Sequence, residues 1–286
     1  MPAPGVILAG ARRRPLLALG GTLAIGLLLI GLFGSRLAPY DPLRQLPDGL
    51  TAAGLPQPPS RAHLLGTDRS GRDVLSRLLI GARLSLIVGL GGMGIALALG
   101  LAVGVSAGFL GGWADGLLMR FTDVILAFPA ILLAIALAAV QPHRGVLTLI
   151  AIIGFINWAP AARLFRSETL SLRERLYVEA ARAAGASSGR VLLRHILPHL
   201  AGTAWVVASL AVATTVLLDA GLNFLGIGLP RPAPSWGLML LEARDYYRVA
   251  PWLPVWPGLA VVLTVAAFNL IAHDLQSHQS APGDHP

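Results

Sequence analysis

Lysine is absent: all 22 basic residues are arginine. That removes a P-loop lysine, a Schiff base and a lysine general base. Work that consumes ATP must therefore draw on hydrolysis by another chain. Cysteine is absent as well, which excludes disulfides, a thiol nucleophile and Cys-ligated zinc. Charge is scarce, at 13% of residues, where a soluble domain carries about 25%. What is abundant is apolar surface: 55% of residues are hydrophobic and the mean hydropathy is +0.70. These values describe a membrane protein.

Six windows contain no Asp, Glu, Lys or Arg: 15–35, 84–114, 124–143, 145–162, 195–218 and 249–273. Each is at least 18 residues long, against the roughly 20 apolar residues with which a helix crosses about 30 Å of hydrocarbon. They predict an all-α membrane protein with six transmembrane helices. Arg12-Arg13-Arg14 followed by "PLLALGGTLAIGLLLIGLF" has the look of a signal peptide, but the apolar run is too long and no small-x-small site follows. It reads as an uncleaved first span. The net charge of +8 arises in segments flanking lipid, which favours anionic headgroups over nucleic acid as partner.

Residues 1–14 precede the first span, 15–35. Residues 36–83 form the longest hydrophilic connection, opening with the proline-rich "LAPYDPLRQLPDGLTAAGLPQPPS". At its end Val74, Leu75, Leu78 and Leu79 share one helical face, with Arg72, Asp73, Ser76 and Arg77 opposite, which predicts an interfacial helix. Residues 84–275 hold the remaining spans and 276–286 a tail. In the second span Gly92, Ala96, Gly100, Gly104, Gly108 and Gly112 recur at every fourth position, a smooth ridge for close helix packing. Arg120 and Asp123 are spaced to pair, and Pro129 predicts a kink. Arginines divide evenly, eleven to each side, so the positive-inside rule leaves orientation undecided.

Residues 163–199 carry seven arginines and three glutamates between two apolar stretches. Placing ten charges in lipid would cost about 25–35 kcal/mol, so this segment lies outside the membrane. It is built to be ordered. Ser171 and Glu174 have capping-box spacing, Gly185 supplies a left-handed stop, and Ser187 or Ser188 can cap a second short helix reaching Leu197. Alanines 180, 181, 183 and 184 leave the first helix nearly bare beside Glu179 and Arg182. Such a helix lets a partner's groove approach closely; a solvated loop helix is the alternative.

Glu179-Ala180-Ala181, then Gly185, then Leu197-Pro198 resembles the "EAA" loop of ABC importer permeases. Other stretches are similar to the dipeptide/oligopeptide/nickel permease group, its second, "C" permease in particular. They are "LGTDRSGRDVLSRLLIGARLSL", "MRFTDVILAFPAILLAIAL", "RHILPH", "LNFLGIGLPRPAPSWGLML" and "PWLPVWPGLAVVLTVAAFNL". The pattern departs at His199, Asp219 and Asn223, and over residues 272–277. The resemblance implies a type I ABC importer permease fold in a bacterial inner membrane, with loop and both termini cytoplasmic. It implies peptide import, with nickel or a glutathione-like solute as alternatives. It implies no cofactor in this chain, ATP and Mg on partner subunits, a second homologous permease, two ATPase subunits and an extracytoplasmic binding protein. The ATPase would dock on Tyr177, Glu179, Ala180, Ala181, Arg182, Gly185, Ala186 and Ser187.

Asp219, Asn223 and Asn157 are candidates for the translocation path, since intramembrane polar groups are expensive. For Asp219 a helix-capping role or a contact with Arg231 competes; for the asparagines, glue between helices does. His195 and His199 have a metal-compatible spacing, but the intervening Pro198 argues for structure. An ion-coupled transporter would show midplane carboxylates and an internal repeat, and a membrane-bound enzyme a catalytic constellation; neither pattern is evident, and no catalytic residue is expected.

Overall fold

The computed structural model describes residues 15–141 and 145–279. Ten α-helices are found among them. Five are long and apolar enough to span a membrane: α1 (Pro15–Leu37), α2 (Val74–Leu110), α5 (Val146–Arg173), α8 (Leu200–Phe224) and α10 (Trp252–Gln279). Two shorter helices, α3 (Gly112–Ala127) and α4 (Ala130–Ala139), together make up a sixth passage, bent by 89° between them. Pro129 stands at the break and is the helix N-cap of α4. The expected kink is thus a full break, because proline removes a backbone donor while Phe128 before it takes an extended conformation.

Following the chain through these passages, residues 38–73 and 225–251 fall at one end of the bundle. The 111–112 turn and the segment from Glu174 to His199 fall at the other, here called the loop end.

The glycine ridge packs within the chain. α2 and α5 run parallel and form the most extensive helix pair. A Cβ on Gly100 would lie 2.6 Å from that of Ala161; on Gly104 it would collide with the Ala162 carbonyl oxygen; on Gly108 it would lie 2.8 Å from Arg166 O. Backbones this close leave no room for a side chain, which is the reason for the four-residue repeat. The repeat ends one member early: Gly112 is exposed and opens α3. α8 crosses α2 near Gly89 and Gly92 and packs against α10, while α1 closes the outside of α2 and α10.

The first turns of α2 correct the interfacial-helix expectation. Arg72, Asp73, Ser76 and Arg77 are buried, more so than Leu75, Leu78 and Leu79. The polar face turns inward because it has partners there. Arg72 Nε donates to Asp68 at 2.7 Å, its Nη2 donates to Glu242 at 3.1 Å, and Arg77 Nη1 donates to both Asp68 and Glu242 (2.7 Å to the latter). Glu242 belongs to α9 (Trp236–Ala243), so two arginines and two carboxylates fasten residues 68–77 to that helix. Beside them, Asp73 caps α2 through the Ser76 amide and faces His63 at 3.3 Å.

Candidate functional site

The loop end is assembled on an extension of α5. That helix does not stop where the apolar window does but runs on to Arg173, with Pro160 inside it. Ser171 is therefore helical, and the expected capping box with Glu174 is not formed; α6 (Leu176–Ala183) starts after Arg175 with no side-chain cap. Tertiary packing overrides the local signal: Phe165 and Thr169 are fully buried against α2, whose Gly108 admits Thr169. Arg173 then donates to the carbonyls of Gly108 and Phe109, closing the last turn of α2.

Val178 anchors α6. It is fully buried in a cluster with Phe165, Val191, Ile196 and Leu200. Around that anchor Glu179, Ala180 and Arg182 are exposed, Tyr177 is 39% exposed, and Ala181 is half-buried. Arg182 lies over the Phe109 ring, 6.0 Å from its centroid. Among the described residues Glu179 has no ion-pair partner. Val178 is thus the one fully buried side chain of a bare, charged helix.

The expected stop is present. Gly185 has φ +81°, the Gly185 amide donates to Arg182 O, and the Ala186 amide donates to Ala181 O at 3.0 Å. That last bond spans six residues and satisfies carbonyls that a helix end leaves orphaned. Ser187 then caps α7 (Ser188–Val191) by accepting from the Arg190 amide. The chain continues through a π-helical turn, Leu192–Ile196, into α8. Ala186 is half-buried, packed on the same cluster as Val178. Gly185 and Ser187 are exposed. His195 and His199 flank Tyr177: the His199 ring stacks on it at 5.3 Å, and that of His195 is 6.3 Å away. Among the described residues no three metal-ligating side chains converge.

The three candidate path residues separate. Asn157 lines an open groove of about 180 Å³ between α5 and α8, together with Pro160, Leu164, Val207, Leu210 and Thr214. Its amide donates to Ile153 O, so the side chain lies along its own helix. Asp219 and Asn223 are buried instead. Asn223 Nδ2 donates to Asp219 Oδ1 at 2.7 Å, and Asn223 Oδ1 accepts from the Leu229 amide at 2.8 Å. Together they tie the end of α8 to the 225–229 turn, so Asp219 meets Asn223 and not Arg231.

Two ion pairs join residues remote in sequence. Asp123 does not pair with Arg120 on its own helix; Arg163 of α5 reaches it at 2.6 Å. Arg166 grips Asp115 of α3 with two bonds, of 2.5 and 2.6 Å. The signal available was only that each carboxylate sits on a short helix facing an arginine-bearing one, and sequence spacing does not register a contact across 40 or 51 residues.

Comparison with known proteins bears on the whole arrangement. Residues 100–280 match the family described as "Binding-protein-dependent transport system inner membrane component". The chain is 38% identical over 256 residues to the glutathione transport system permease protein GsiD of Pectobacterium atrosepticum, covering 90% of this chain and 83% of the relative. It is 43% identical over 220 residues to the dipeptide transport system permease protein DppC of Alkalihalophilus pseudofirmus, covering 77% and 72%. It is 39% identical over 265 residues to GsiD of Escherichia coli O157:H7, covering 93% and 86%. With the helical bundle, the broken passage and the ordered loop already in place, the chain belongs to the family of binding-protein-dependent transport system inner membrane components.

Proposed function

We propose that this permease subunit passes short peptides across the cytoplasmic membrane, and that it takes its driving force from ATPase subunits docked on residues 176–187. The observation that carries the docking role is the exposed pair Glu179 and Arg182, on a helix seated on the bundle through the buried Val178. A long charged side chain standing free beside bare alanines offers a partner both a register mark and a close approach. Tyr177, Ala180, Ala181, Gly185, Ala186 and Ser187 belong to the same surface or hold its shape.

In this reading the loop end is cytoplasmic, as are both termini. A second, homologous permease chain completes the pathway, and a binding protein delivers solute to the end formed by residues 38–73 and 225–251. ATP and Mg are held by the ATPase subunits. The mechanism is linkage: ATP favours one arrangement of the motor pair, the docked helices follow, and the bundle's inward- and outward-facing populations shift accordingly. The groove beside Asn157 is the stretch of this chain that faces the solute. Asp219 and Asn223 shape the far end from behind it.

Short peptides are the substrate class because one relative carries a dipeptide permease's name; a glutathione-like solute is the second reading, on the names of two others. Nickel is the remaining alternative. Replacing Glu179 with Arg tests the docking role. The expected outcome is a variant that inserts and folds normally but no longer co-purifies with ATPase subunits and does not transport. Unchanged ATPase association would refute it.

A further inference from the structure

Helix α3 is the least embedded of the bundle's helices. Thr122 is its only buried residue, and it is bounded by a break at each end. At one end Gly111 and Gly112 both have positive φ, +67° and +57°, a backbone region that only glycine enters freely. At the other end stand Phe128 and Pro129, where the axis turns by 89°. A rod with two such joints keeps its place only by what it touches along its side.

Val103 of α2 packs in one apolar cluster with Ile125 and Leu126, but the ion pairs and ring contact of α3 converge on α5. Arg166 donates twice to Asp115, Arg163 donates to Asp123, and the Phe121 ring stacks on Trp158 at 5.8 Å. The two ion pairs differ in exposure. Arg163 and Asp123 are more than half exposed, whereas the Asp115 side chain is 17% exposed and Arg166 34%. A bidentate arginine–carboxylate fork fixes direction as well as distance, which a single exposed contact does not. Seven residues beyond Arg166, Arg173 is bonded to the end of α2, and α6 follows at once. The docking helix, the end of α5 and the end of α2 are therefore tied into one block.

We infer that the Arg166–Asp115 ion pair is the positioning link through which movement of that block reaches the broken passage α3–α4. The inference rests on the docking role proposed above. Neither residue lines the groove beside Asn157. Arg166 holds the hinged rod in step with the motor-bound block, and Arg163–Asp123 steadies it farther along. Without the link, the motor cycles and the broken passage lags behind.

The test uses the complete transporter, reconstituted in vesicles with its partner permease, ATPase subunits and binding protein. ATP hydrolysis and solute uptake are both measured, along with subunit stoichiometry. In Asp115→Asn and in Arg166→Gln, the ATPase subunits should stay bound and hydrolysis should hold within about twofold, while solute moved per ATP falls about tenfold. Because the chain has no cysteine, a rescue is direct. The double variant Asp115→Cys with Arg166→Cys should be uncoupled as purified, and bridging the two thiols with a short bis-methanethiosulfonate reagent should restore solute moved per ATP. Undiminished solute per ATP in the single variants overturns the inference, and so does a bridged protein that stays uncoupled. Loss of the ATPase subunits from the single variants overturns it too, since the pair would then serve docking. If Glu179→Arg leaves the ATPase subunits bound, the docking role itself fails, an outcome read from stoichiometry before any coupling is measured.

Discussion

Arg77 reaches Glu242 at 2.7 Å across 165 residues of chain, and its side chain has no exposed surface. Asp68 and Arg72 complete the group, so two positive and two negative charges balance. Removing one member leaves a charge without compensation in a place closed to water. Glu242→Ala should lower stability by about 3–5 kcal/mol. The paired change Arg77→Met with Glu242→Leu, which leaves Arg72 and Asp68 matched, should recover most of that loss. Thermal unfolding of the detergent-purified protein measures both. Equal loss in the single and paired variants would show that the charges are not acting as a group.

The glycine ridge makes a second prediction, because α2 carries glycines on two different faces. Gly104→Ala drives a methyl into the Ala162 backbone and should cost about 1–3 kcal/mol by forcing α2 and α5 apart. Gly94→Ala, whose added methyl would meet nothing within 4 Å, should be neutral or stabilise by up to about 1 kcal/mol through helix propensity. The same substitution, ten residues apart on one helix, changes sign with the face. Unfolding midpoints of the two variants make the comparison.

A third prediction separates the groove from the buried polar pair. Leu210→Trp puts a bulky ring into the groove beside Asn157 and should reduce solute uptake at least about tenfold with ATPase subunits still bound. Asp219→Ala removes the carboxylate oxygen that accepts from Asn223 Nδ2 and should lower stability by about 1–3 kcal/mol. The relative uptake of different solutes should not change. Competition between solutes in vesicles, set beside unfolding data, distinguishes the two effects.

Much of this architecture is legible in the residues alone, for physical reasons. Charge-free windows mark the passages because lipid tolerates so few charges. Glycine at every fourth position announces a close helix contact, and Gly185 announces its turn because that turn needs positive φ. The loop's exposed charges follow from the cost of putting them anywhere else. What stayed hidden depends on contacts remote in sequence. Arg72 and Arg77 read as a solvated face until Glu242 is seen beside them. Ser171 and Glu174 have the spacing of a cap, yet α5 runs through Ser171 because Thr169 and Phe165 bury against α2. Asp123 has a partner three residues away and takes another forty residues away. Asp219 and Asn157 look alike as polar residues in apolar runs; only the fold puts one in the interior and the other beside a groove.

The most direct measurement of the central claim places a reporter on the docking surface. Ser187 is exposed and follows the Gly185 turn, and Ser187→Cys introduces the chain's single thiol. A membrane-impermeant maleimide applied to intact cells and to inside-out vesicles, with and without the ATPase subunits, reads both sidedness and occupancy. The account predicts labelling only in inside-out vesicles, and protection there when ATPase subunits are bound. Labelling from outside intact cells, or labelling in vesicles that the ATPase subunits do not diminish, would contradict it.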